Sequence, residues 1–543
     1  MEKSEKIVYV TPEVLLGDLT NYAGGLGILA GGLLSAARDM GFPFVTISLL
    51  HKKGYVRHEI REREIKFLED AFDPADYFRK IDKKFFIELK HGIKIWFQIW
   101  EQKLCEEVSA YFIDTDVPEN PECFRRLTNR LYIEENLEEK LLKRLLLGIG
   151  TLVLVENLKI RVKKFHLNES HSAFLIVELL KKLRSEAMVR KAVVATTHTS
   201  LPHGHERFDY SLVERYYEVP REIKMISPGI LELTRVMFYL SGFVNAVSWK
   251  HYLLFKKRLG ESIRMLKKFD YITNGVHTKW VADPYRKVYD AYIPGWFSSP
   301  EKLVFARCVP HEELADARRE AKLELIKLIH NYGVFNKSFD ESGIIICVRR
   351  RITGYKRNDI LLSDLERLED FARKYKLHVV ISGVCHPEDV EGRKILAHVI
   401  DAMSVLSHTK LAFLGRNGKF FERACVSGCD IFLHSPLPPY EACGTSWMRA
   451  ALNAVPIIST RDGGVLEGII HGYNGWLFGK NRMDENESYN DIKELYDVLE
   501  SVLSLIKNER EEYFKICLNA LATIGSYFNT KRVLKEYIAK AYQ

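Results

Sequence analysis

A chain of 543 residues, about half of them apolar, is long enough for two or three domains with sizeable cores and too apolar to be disordered. Its net charge of +8 is a small excess over a large acidic count, and no aromatic–basic motif accompanies it, so no nucleic-acid partner is expected and phosphate-bearing ligands are suited. No apolar run reaches membrane-spanning length, residues 1–6 are charged without a signal-peptide core, and the nine cysteines are scattered. Cys425 and Cys429 share a helical face, but no His or Cys cluster completes a metal set. A cytoplasmic protein with free thiols, no metal and no membrane partner is expected.

In chain order, the first half opens with an apolar strand at 7–10, a glycine loop, a helix over 28–40 ended by Gly41, and a strand at 44–50. Strands at 93–99 and 192–196 and a long helix over 137–158 continue the β-then-α alternation of a parallel sheet. The second half alternates more cleanly, with short apolar runs at 344–348, 379–382, 411–414, 431–433 and 456–459 separated by helical stretches. Runs this continuous predict strands covered on both faces. A charged helix near 312–329 is expected to link two doubly wound α/β domains, and 510–543 reads as two helices. Ligands of such sheets sit at the carboxyl ends of the strands.

Six motifs fall at those ends. Asn21-Tyr22-Ala23-Gly24-Gly25-Leu26-Gly27 follows the first strand and opens a helix, so it is either a loop where N–H groups meet an anion or a close helix–strand contact. Phe165 to His171 (FHLNESH) and Ala195 to Pro202 (ATTHTSLP) bring Asn168, His171 and His198 to strand ends, as hydroxyl-binding groups or as caps. Asn274-Gly275 is first of all a turn. Arg349 to Arg357 (RRRITGYKR) clusters cations after a strand, suited to phosphate. Tyr440 to Arg449 (YEACGTSWMR) runs into a helix.

That last stretch closely resembles the cofactor loop of the α-glucan phosphorylases of the short bacterial and archaeal type. There the motif ends in the lysine that holds pyridoxal phosphate as a Schiff base. Here the lysine is Arg449, and a guanidinium stays protonated and forms no such imine. The glycine loop, the two strand-end loops, Asn274-Gly275-Val276 and Tyr355-Lys356-Arg357 resemble the same family, and more distantly the starch and bacterial glycogen synthases. The synthases carry a lysine two residues before the glycines, where this chain has Tyr22. The resemblance implies a GT-B fold, two Rossmann-like doubly wound domains facing a central cleft. The expected parts are an acceptor-side domain with linker helix over 1–335, a donor- and phosphate-binding domain over 336–509, and helices over 510–543 that cross back.

The resemblance also implies roles. Arg351 and Lys356 clamp phosphate, Glu441 binds hydroxyls of the transferred sugar, and His198 lies at the reacting sugar. Gly24, Gly25, Gly27, Gly444 and Thr445 bind the donor's phosphates, while Asn168 and His171 bind sugar; Arg449 matches neither group of enzymes, and its charge suits an added bond to the donor's distal phosphate. Many nucleotide-sugar transferases hold the ribose with a glutamate eight residues after the first, and that place is again Arg449. In phosphorylases the cofactor phosphate lies beside inorganic phosphate, and a nucleoside diphosphate brings two phosphates of its own. The expected activity is therefore retaining transfer of glucose from a nucleoside-diphosphate glucose to an α-1,4-glucan, with no pyridoxal phosphate. An α-glucan phosphorylase holding that cofactor noncovalently or on another lysine, and an inactive glucan-binding homologue, are the alternatives. Oligomeric state and the nucleotide are left open.

Overall fold

The run Ile344–Arg349 (IIICVR) is buried along its whole length, as are Leu377–Ser382 and Ile431–His434. A strand with no wet face belongs inside a parallel sheet covered by helices on both sides, and that is the architecture of both halves of this protein. In the computed structural model, residues 4–19, 21–61, 64–199, 205–259, 268–484 and 490–543 are described. Residues 1–3 of the charged start and Ser200, Leu201 and Pro202 of the second strand-end loop lie outside them.

Two compact units emerge: Met1–Tyr55, Asp70–Thr273 and Val533–Gln543 form the first, Val56–Glu69 and Asn274–Arg532 the second. The first holds a nine-stranded sheet. Its order is Phe269–Tyr271, Phe243–Ala246, Val193–Thr196, Val162–Asn168, Lys6–Val10, Phe44–Leu49, Val108–Asp114, Lys94–Lys103 and Arg79–Glu88. All neighbours pair in parallel except the last two strands, which form an antiparallel edge. Counted along the chain, the parallel strands begin 3-2-1-4-5-6, so the order reverses between Lys6–Val10 and Val162–Asn168.

The second unit repeats that plan in a seven-stranded sheet. Lys410–Leu414, Leu377–Ser382, Ile344–Arg349, Ile431–His434, Ile457–Thr460 and Gly475–Phe478 lie parallel in the same 3-2-1-4-5-6 order, and Val334–Phe335 adds an antiparallel edge. Here the reversal lies between Ile344–Arg349 and Ile431–His434.

The units divide at Thr273 and Asn274 rather than at 335 and 336. The reason is the helix His311–Tyr332, which buries Leu314, Ala317, Ala321, Leu325 and Ile329 and whose Arg318 reaches Ala454 O at 2.7 Å, inside the second unit. The antiparallel pair Arg57–Arg61 and Glu64–Leu68 also belongs there. His58 donates its amide to Gly415 O at 2.7 Å and accepts Cys385 N–H at 2.7 Å on Nε2, while Ile60, Ile65 and Phe67 pack on the core. Residues 533–543 group with the first unit, where the hydroxyls of Tyr542 and Tyr537 meet His166 Nδ1 at 2.6 Å and Thr196 Oγ1 at 3.0 Å. No helix among the described residues is long and apolar enough to cross a membrane.

Candidate active site

The carboxyl ends of the two central strands define the site in the second unit. Ile344–Arg349 delivers Arg349 and Arg350, and Ile431–His434 leads through Ser435 to Glu441. Glu441 is 5% exposed, and its Oε2 accepts from Arg350 Nη2 and from Lys356 Nζ, the latter at 2.5 Å. Burial alone would raise this carboxyl. Arg350 and Lys356, with His434 behind them, outweigh burial and hold it well below the usual carboxylate range, so Glu441 is ionised. Its Oε1 takes no hydrogen bond from the described residues.

Three further contacts fix this loop. Arg357 forks onto Asp491 at 2.7 and 2.9 Å and donates from Nε to Ser435 O at 2.9 Å. Asp462 accepts the Glu441 amide at 2.8 Å. Gly444 stands at φ +69°, and a Cβ there would come within 2.7 Å of His434 Nε2, so only glycine fits. His434 itself is fully buried and driven neutral by that burial. The Ser459 hydroxyl donates to Thr460 O at 2.9 Å, so His434 donates Nδ1–H to Ser459 Oγ at 3.0 Å.

Thr445 precedes the short helix Ser446–Leu452, which carries Arg449. Arg449 is 4% exposed. Its Nη1 donates to Glu422 Oε2, and its guanidinium lies 4.6 Å from the centre of the Trp280 ring. Glu422 is itself buried on the helix Lys419–Gly428, and its other oxygen meets Arg349 Nη2 at 3.1 Å. Arg349 also donates to Asn417 Oδ1 at 3.0 Å. One carboxylate thus bridges two guanidiniums beside the pair of cations on Glu441.

Arg351, the expected phosphate clamp, is exposed, and the structure does not bring it to Glu441. Arg350 stands there instead: it follows Arg349, the last paired residue of its strand, and its side chain reaches Glu441 on the loop after Ile431–His434.

In the first unit the order reversal gathers a different set. Asn168 donates Nδ2–H to Thr11 Oγ1 at 3.0 Å. Glu169 follows at φ +72° and is buried, and its Oε1 accepts the His198 amide and the Thr197 hydroxyl. Burial pushes the Glu169 carboxyl up to about 7 against those bonds. Burial also lowers His198 to about 3 and His171 to about 4, so both rings are neutral at physiological pH. His171 Nε2 lies 3.4 Å from Glu206, which forms a buried pair with Arg144 at 2.8 Å.

The glycine loop departs from the expected phosphate role. Glu13 accepts the amides of Ala23 and of Gly27, the latter at 3.1 Å, so an internal carboxylate already caps the helix Gly25–Met40. Gly27 is a packing glycine, since a Cβ there would meet Tyr22 Cβ at 2.6 Å. Gly24 and Gly25 face open space.

Sequence reasoning did not single out Glu422, Glu13, Glu169 or Trp280, and it named Arg349 and Arg350 only as part of the cationic run 349–357. Glu169 lay within a quoted motif. Glu422 is one acid on an amphipathic helix, with no local signal to single it out. Among the described residues no group of three or more His, Cys, Asp or Glu is placed to hold a metal.

Residues 334–512 match the family model described as glycosyl transferases group 1. The glycogen phosphorylase of Aquifex aeolicus is 29% identical over 99% of this chain and 86% of its own length. The maltodextrin phosphorylase of Thermococcus litoralis is 31% identical over 99% of this chain and 70% of its own. An uncharacterized protein of Methanocaldococcus jannaschii is 29% identical across 97% of both chains. Fold and matched model together define a glycosyltransferase-type enzyme of the GT-B class. The chain belongs to the glycogen and maltodextrin phosphorylase family. Arg449, at the place where the motif resemblance puts the family's lysine, is paired to Glu422 and lies against the Trp280 ring.

Proposed function

We propose that this chain is a retaining glucosyltransferase that moves glucose from a nucleoside-diphosphate glucose to an α-1,4-glucan, without pyridoxal phosphate. The observation that carries the reading is Arg449, a buried guanidinium where an imine-forming lysine is needed, already engaged by Glu422 and Trp280. The surrounding charge supports it. Arg349, Arg350, Lys356 and Arg449 share the carboxylates of Glu422 and Glu441, a balance that suits an added dianion such as a diphosphate.

Glu441, ionised and with Oε1 uncommitted, accepts hydroxyl hydrogens of the transferred sugar. Arg350 and Lys356 are fixed cations that neutralise the phosphate as the glycosidic bond breaks. The departing phosphate takes the acceptor hydroxyl's proton on the same face, so configuration is retained without a covalent nucleophile. His198 and His171, both neutral, hydrogen-bond hydroxyls and do not act as general acids at neutral pH.

A donor panel tests this: UDP-, ADP- and GDP-glucose and glucose 1-phosphate, each with a maltooligosaccharide. Chain extension from a nucleoside-diphosphate glucose is expected. Turnover from glucose 1-phosphate alone would replace this reading with phosphorolysis, the activity that the names of the relatives suggest. No turnover with any donor would leave an inactive glucan-binding homologue. Borohydride reduction and peptide mass analysis should find no phosphopyridoxyl-lysine.

A further inference from the structure

The second unit has a cavity of about 780 Å³ at the opposite ends of the strands that build the Glu441 site. Its wall includes Ile344, Lys376 and Asp430, each at the start of one of three adjacent parallel strands. The strand Ile344–Arg349 has six residues, so about 20 Å of sheet separates this cavity from Arg350. The two are distinct sites.

The cavity's charge is strongly one-sided. Eight lysines and arginines line it against three acidic residues. Some of these cations are already neutralised: Lys322 lies 2.6 Å from Asp430, and Lys374 is 3.3 Å from Glu500. Lys376 and Arg510 have no acidic partner among the described residues, and Lys507 donates only to a backbone carbonyl, Lys374 O, at 2.9 Å. Arg510 is ordered by stacking on Phe514, 5.3 Å from the ring centre, a contact that leaves its N–H donors unused. Lys507 and Lys374 likewise flank the Tyr375 ring at 5.7 and 4.9 Å. Aromatic faces thus hold two cations, Arg510 and Lys507, at one concavity without cancelling their charge. A volume of this size accommodates a nucleotide or a sugar phosphate.

We infer that this cavity is a second binding site, taking a small phosphate ester on Lys376, Lys507 and Arg510. The phosphate supplies the counter-charge that the wall lacks, and charge-assisted bonds to Arg510 and the lysines orient it.

The test uses the full chain carrying Arg350→Ala, so that phosphate binding at the Glu441 site is weakened and does not mask the second one. AMP and glucose 6-phosphate are titrated separately by calorimetry at about 0.15 M salt, where free surface charges are largely screened. Saturable binding of at least one ester is expected, with affinity falling at least tenfold when Lys376→Glu and Arg510→Glu are added. Both side chains are exposed, so the fold should survive; Lys376→Arg, which keeps the charge, should stay within about threefold. Binding of AMP alone assigns a nucleotide, of glucose 6-phosphate alone a sugar phosphate, and of both equally the phosphate group itself. Absence of saturation with either ester, or affinity unchanged by the two charge reversals, would overturn the inference.

Discussion

The two sheets share one topology and differ in the sign of what they place at the point where the strand order reverses. In the first unit that point carries Glu13 and Glu169, with the neutral rings of His171 and His198 on the neighbouring loops. In the second it carries Arg349, Arg350 and Lys356, with Arg449 close behind. Each first-unit acid is spent inside the unit: Glu13 caps a helix and Glu169 binds a backbone amide. The second-unit cations outnumber their carboxylates. One backbone plan thus carries neutral rings with internally bonded acids in one case and a cation-rich cluster in the other, which is why fold alone does not assign function.

The largest effect expected from breaking this contrast is at Glu422. Replacing it with Ala leaves two buried guanidiniums facing each other, and loss of one partner of a buried pair costs about 3–5 kcal/mol. A marked drop in the urea midpoint should follow, and an unchanged midpoint would mean that the Arg349–Glu422–Arg449 bridge does not form in solution.

Next come Arg350→Ala and Lys356→Ala, each expected to lower kcat by about 10²–10³ with the fold intact. Arg351→Ala serves as the internal control, since the side chain is exposed and should cost little. Equal losses at 350 and 351 would show that the clamp is shared.

Glu169 sharpens the contrast through pH. Its carboxyl is raised from about 4.5 to about 7 in the folded chain, so the fold binds the proton more tightly than the unfolded chain does. The stabilisation from the protonated form is complete below about 4.5 and is lost as pH rises through about 7. Glu169→Gln removes that dependence, and stability relative to the parent should rise across this window by up to roughly 3 kcal/mol. Parallel pH profiles of the two proteins would refute the burial argument.

The smallest effect concerns Arg449→Ala. A charged hydrogen bond contributes roughly 1.5–3 kcal/mol, so calorimetry should show weaker nucleoside-diphosphate binding with glucan affinity kept. Arg449→Lys should give an intermediate affinity. Diphosphate affinity unaltered in Arg449→Ala would leave the residue a purely structural partner of Glu422 and Trp280.

The sequence by itself determined the α/β class, the strands that are uninterrupted apolar runs, and the two members of the site that sit in tight local motifs, Lys356 and Glu441. The lysine-to-arginine change at 449 was equally plain, because it is a matter of residue identity. Half-exposed strands such as Arg79–Glu88 escaped notice, since alternate residues there are charged and the apolar signal is diluted. Which arginine of the run 349–351 reaches Glu441 depended on where the sheet pairing stops and on a partner 91 residues away. Likewise Glu422 meets Arg349 and Arg449 only because strand and helix order bring three distant segments together. Local spacing encodes helices, strands and motif loops. The pairing of buried charges is a property of the strand order, and only the tertiary structure decides it, because an ion pair forms wherever the fold makes burying either charge alone more costly.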